Sequence, residues 1–127
     1  MLKSTVHAQA QLNTARGFAM AAWTPRLALF IGDPLAGGVE VAGGGYARQN
    51  VVFAAPVGNL MQNSAAITFP TPTGTWGSPT HMALMDAMTG GAPRVAFLLP
   101  GDDTDRLQQV GSTPISLPPG AVVYQET

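Results

Sequence analysis

Three glycines followed by an arginine, in the stretch EVAGGGYARQNVVFA at residues 40 to 54, are the first place where this chain could do chemistry. A glycine loop cradles phosphate when a helix follows it, because the helix N-terminus supplies free N–H groups and a favourable dipole. Here the following residues alternate, with Val51 and Phe53 on one side and Arg48 and Asn50 on the other, which is the period of a strand. A dinucleotide fingerprint would need a third glycine where Arg48 stands, and a P-loop would need a Gly-Lys-Ser/Thr that is absent. Gly43, Gly44 and Gly45 are therefore expected to form a hairpin turn at positive φ, with Tyr46 and Arg48 on the strand that leaves it.

The other reactive residues are sparse. His7 and His81 are the two histidines, far apart and without local metal-ligand spacing. Asp86 follows His81 by an odd number of positions, which places it on the opposite face of a strand. The acidic GDDTDR at 101–106 lacks the downstream carboxylate that a calcium-binding EF-hand loop requires, and a solvated loop is the better reading. There is no cysteine, so thiolate chemistry, disulfides and cysteine zinc sites are excluded. No G-x-S-x-G occurs, and of the seven acidic residues three lie in that one loop. These residues point away from an enzyme and imply no cofactor and no metal. Met82, Met85, Met88 and Trp76 read as core or interface filling. Trp76, Tyr46 and Tyr124 could alternatively present an aromatic platform to a sugar, in which case they must be exposed.

The elements that hold these residues follow from period and punctuation. Residues 4–23 carry Leu12, Ala15, Phe18, Ala19 and Ala22 at helical spacing, with Ser4 or Thr5 as N-cap, Gly17 as an internal weak point and Thr24-Pro25 as the stop. Beyond Pro25 come short apolar or alternating runs: RLALFIG, GVEVA, YARQNVVFA, AAITFP, THMALMDA, RVAFLLP, PISLP and GAVVYQE. Fifteen glycines and eleven prolines punctuate the chain and leave no room for a second long helix. The expectation is one mainly β domain over 1–127: a helical segment at 1–24 and an antiparallel, jelly-roll-like β-sandwich at 25–127.

Charged residues make up only 10% of the 127, against about 25% in ordinary soluble domains. Surfaces covered by neighbours lose charge, which fits a subunit of an assembly; a small domain with an uncharged polar surface fits equally well. A net charge of −1 gives no footprint for nucleic acid or for an anionic membrane. The apolar runs are far shorter than the roughly 18 residues of a membrane span, and the polar N-terminal residues give no signal-peptide pattern, so a cytoplasmically made product is expected.

Several ordered motifs, taken together, resemble a family. They are Tyr46-Ala47-Arg48 after the glycines, Phe69-Pro70, Trp76-Gly77 with His81 beyond, and Asp86 to Gly91 as D-A-x-T-G-G. The set, within about residues 24 to 91, resembles small phage virion proteins commonly labelled tail fibre proteins. The last thirty residues depart from it, being longer and richer in proline. The resemblance implies a non-catalytic virion subunit, made in the host cytoplasm, whose partners are other virion proteins, either coat subunits or tail components. Three-fold symmetry, a homotrimer, is implied by the same resemblance. Because the sequence shows no coiled coil, triple β-helix or repeat from which a fibre shaft is built, a capsid-surface decoration or cement role is expected first and a tail fibre or tail-tip role second. A small carbohydrate-binding module is the third expectation.

Overall fold

A computed structural model describes residues 2–17, 22–100 and 107–126, so Phe18 and Ala19 of the expected helix and the GDDTDR stretch lie outside the described residues. The chain is mainly β, with antiparallel sheets and one short N-terminal helix. The elements are β1 (Leu2–Lys3), α1 (Thr5–Ala15), β2 (Arg26–Ile31), β3 (Val39–Glu40), β4 (Gln49–Asn50), β5 (Leu60–Gln62), β6 (Ile67–Thr68), β7 (His81–Met85), β8 (Pro93–Leu98), β9 (Ser116–Leu117) and β10 (Val123–Gln125).

The largest sheet runs β1-β8-β7-β2-β3, with β4 also paired to β2, and all its pairings are antiparallel. Its three long strands are the RLALFI, HMALM and PRVAFL runs, whose alternation sorts side chains to two faces. Leu27, Leu29, Met82, Leu84, Val95 and Phe97 join the main core. The intervening Ala28, Phe30, Ala83 and Met85 form a separate buried cluster. Against the main face pack two ribbons, β5–β10 and β6–β9, which bring in Ile67, Phe69, Leu117, Val122 and Tyr124. Asn63 joins the ribbons from within. Its Nδ2 donates to the carbonyls of Ala65 and Pro118, and its Oδ1 accepts from the Val122 N–H, so this nearly inaccessible amide is satisfied as burial demands.

Ser4 caps α1, its Oγ accepting from the His7 N–H at 3.1 Å. The helix stops well short of residue 23. Arg16 is its C-cap and Gly17 follows at φ +94°, the left-handed position at which glycine closes helices. Ahead of the helix, β1 pairs with β8, an edge strand too short to leave a periodic signal. β5, in the sequence NLMQN, also escaped the pattern, because it has no alternation and no β-branched residue.

Candidate functional site

The glycine loop does not reverse the chain. β3 pairs with β2 at Phe30↔Glu40 and β4 pairs with the same β2 at Arg26↔Asn50, both antiparallel, so the two strands run in one direction along one edge. The expected hairpin is thus an excursion within a single edge strand. Far more chain lies between Glu40 and Asn50 than between Phe30 and Arg26, and the surplus is thrown out as a loop with Gly43, Gly44 and Gly45 at its tip.

All three glycines have positive φ, but the space around them differs. A Cβ on Gly43 would meet nothing within 4 Å, whereas one on Gly44 would fall 2.8 Å from the Gly74 nitrogen and from Trp76 Nε1. Gly44 is pressed there because its carbonyl accepts two hydrogen bonds, from Trp76 Nε1–H at 2.9 Å and from the Thr73 N–H at 2.8 Å. The indole so anchored is 3% exposed and meets Tyr46 edge-on, with ring centroids 5.5 Å apart. Tyr46 in turn stacks on Phe69.

Where the edge strand leaves β2, a side chain takes over its hydrogen bonding. The Tyr46 hydroxyl accepts from the Leu29 N–H at 3.0 Å and donates to Glu40 Oε2 at 2.8 Å. Arg48 closes on the same carboxylate through Nε and Nη2, at 2.8 and 2.7 Å. Its Nη1 donates to the carbonyls of Ala87 and Gly90, which ties the loop after β7 to the same edge. At 8% exposure this guanidinium is buried, and the bidentate geometry with two carbonyls beyond it is what makes such burial tolerable.

The electrostatics follow from these contacts. Burial alone would raise the Glu40 pKa, but the hydrogen bonds from Arg48 and Tyr46 outweigh it and hold the carboxyl below its usual range. The hydrogen bond to Glu40 outweighs burial at Arg48 and holds its guanidinium charged. Burial pushes the Tyr46 phenol well above its ordinary value, the Leu29 N–H opposing and Glu40 adding to the rise. None of the three changes protonation state near neutral pH, so the cluster has no group poised for general acid–base work. Its chemistry is to clamp three loops, at 41–48, 71–77 and 86–91, onto one sheet edge.

Gly77 and His81 lie outside this cluster. Gly77 sits at φ +82° and bridges Gln108, with Ile31 Cδ1 only 3.0 Å from where a Cβ would stand. His81 opens β7, opposite Phe30 and Leu98, with its Nδ1 2.8 Å from Thr80 Oγ1. Asp86 pairs with Arg94 and accepts from the Ala92 N–H. The sugar platform is not assembled: Trp76 and Tyr124 are buried, and the Tyr46 ring is half-buried between Phe69 and Trp76. Among the described residues, no group of three or more His, Asp or Glu is placed to hold a metal ion.

Sequence reasoning missed Glu40, which keys the cluster. The signal was faint: alternation from Val39 and Val41 places Glu40 on the opposite face, where a carboxylate is expected in solvent. A second polar cluster was also missed. His7, 4% exposed, puts Nε2 3.0 Å from the Tyr124 hydroxyl, and Gln11, Tyr124, Glu126 and Lys3 form a connected set around it.

Residues 3–104 match the protein family described as podophage GP4 fiber I protein gp80, a span that takes in most of the chain. The chain belongs to the gp80 family. Among curated proteins no sequence gives a significant match. Membership makes this gp80-family chain a phage structural protein, and it favours the fibre reading over the capsid-surface reading that the missing shaft had put first. The matched span covers the whole glycine-loop cluster and ends within the C-terminal thirty residues that depart from the motif set. No helix among the described residues of this gp80 relative is long and apolar enough to cross a membrane.

Proposed function

We propose that the chain is a non-catalytic component of a phage tail-fibre apparatus, located on the virion and assembled there with other tail proteins as a homotrimer. The observation that carries this is the family match over residues 3–104. The Tyr46–Glu40–Arg48 clamp supports it, since its ionisable groups are spent on holding loops to the sheet rather than left poised for reaction. The low charge of the chain supports assembly, because uncharged surface invites association and closed cyclic symmetry limits it. On the same proposal residues 1–127 act as one domain, and Gly43, Gly44, Gly45, Tyr46, Arg48, Trp76, Gly77 and His81 are structural residues of the family. Phage particles produced without this protein test the proposal. They are expected to withstand heating as intact phage do and to fail to adsorb to host cells. Particles that adsorb normally but lose DNA on heating would instead support a capsid cement.

A further inference from the structure

A cavity of about 270 Å³ opens where α1, the β5–β10 ribbon and the Trp23–Pro25 segment meet Leu84 of β7. Its wall is apolar: Trp23, Pro25, Phe53, Met61 and Leu84. Four polar residues complete the lining: His7 and Tyr124, both buried, and Gln11 and Glu126, half-buried, which form its rim. An apolar chamber with a few convergent polar groups is the usual form of a ligand pocket. At a size just below the ~300 Å³ at which pockets for drug-sized molecules begin, this one suits a single ring system.

The rim defines which ring. Glu126 pairs with Lys3 and accepts from Gln11 Nε2 at 2.9 Å and from the Tyr124 hydroxyl at 3.1 Å, so its negative charge is already matched. Gln11 Oε1 accepts from Lys3 Nζ at 3.0 Å. A carboxylate offers about four lone-pair positions and an amide oxygen two, so both oxygens keep capacity to accept. The rim is thus neutral overall and rich in acceptors. A charged guest would gain no counter-charge and would lose its hydration against the apolar wall. A many-hydroxyl guest such as a sugar would leave most of its hydroxyls against Trp23, Phe53, Met61 and Leu84 without partners.

We propose that this cavity receives one aromatic side chain that carries an O–H or N–H donor, a tyrosine or tryptophan presented by a partner protein. The ring packs on Trp23, Phe53 and Met61, and its donor reaches Glu126 or Gln11 at the rim. Aromatic residues with one polar atom are the usual anchors of protein interfaces, because they bring large apolar area and a single hydrogen bond at low entropic cost. This inference rests on the cavity alone and does not depend on the fibre reading.

The test uses the full chain and two side-chain analogues, p-cresol and indole, with toluene and methyl α-D-glucopyranoside as comparisons. Binding is followed by methyl NMR of Met61 and Leu84. The expected result is saturable shifts of both methyl groups with p-cresol and indole, at affinities about three- to tenfold tighter for p-cresol than for toluene. Glu126→Leu together with Gln11→Leu, which leaves neither position an acceptor, should remove that advantage while toluene still binds. Met61→Trp, which fills the cavity, should abolish the p-cresol shifts at Leu84. Because a filled variant can misfold, its amide spectrum is compared with that of the parent, and the rim variant supplies the independent arm. No saturable shift up to the solubility limit would overturn the inference. So would p-cresol binding no tighter than toluene, or methyl glucoside binding in place of the aromatic probes.

Discussion

Gly43 and Gly44 offer a controlled comparison, since they are neighbours at similar positive φ, +73° and +55°, and differ in what surrounds them. Replacing either with alanine forces a Cβ into the left-handed region, which costs about 1–2 kcal/mol. At Gly43 nothing else changes, because the Cβ would meet open space. At Gly44 the Cβ would lie 2.8 Å from the Gly74 nitrogen and 2.9 Å from its Cα, and both are backbone atoms that cannot swing aside as a side-chain tip can. Relief requires the loops at 43–45 and 73–76 to part, which breaks the Trp76 Nε1–H and Thr73 N–H bonds to the Gly44 carbonyl. Leaving the buried indole N–H unpaired adds about 1–3 kcal/mol. Gly44→Ala should therefore destabilise by roughly 2–5 kcal/mol and Gly43→Ala by about 1–2. For a domain of this size each kcal/mol moves Tm by about 4 °C, so the two variants should separate by several degrees in a calorimetric or circular-dichroism melt. Equal melting temperatures for the two would refute the close approach of Gly44 to Gly74 and Trp76.

Three other outcomes follow from the same contacts. Arg48→Met strands the Glu40 carboxylate and should cost about 3–5 kcal/mol by denaturant unfolding, while adding Glu40→Gln should restore part of the loss; strictly additive losses would contradict the clamp. Burial, with Arg94 and Lys3 nearby, holds the His7 imidazole below its ordinary value, Glu126 opposing only in part. The unfolded chain then binds the proton more readily, so His7's contribution to stability is complete above the unfolded value of 6.5 and is lost as pH falls below it; His7→Gln should flatten this acid limb of the Tm-versus-pH curve, and an unchanged limb would assign it to other groups. In a Trp23→Phe background the remaining Trp76 emission should be blue-shifted and poorly quenched by iodide, and a readily quenched indole would mean that the 71–77 loop does not close over it.

The parts of this fold that are legible in the sequence are those in which apolar side chains repeat over five or six residues. RLALFI, HMALM and PRVAFL each announce a strand, and Ser4 announces a helix start, because burial of alternating faces and capping of free N–H groups are local requirements. The glycine loop was legible as a place of positive φ but not as an excursion, because a glycine permits a turn without saying which strand pairs with which. Pairing β3 and β4 to the same edge of β2 is a long-range fact. The burial of Arg48 is not legible in the sequence for the same reason: the Ala87 and Gly90 carbonyls that bury it arrive from a loop about forty residues downstream. His7 shows the extreme case, since its partner Tyr124 comes from the far end of the chain. No period or spacing links the two.

The central claim, that this gp80-family chain belongs to the tail-fibre apparatus, is tested most directly by gold-labelled antibody against the folded protein on intact particles, viewed by electron microscopy. Label confined to the tail appendages is the predicted result. Label spread over the facets of the head, with the tail bare, would contradict it.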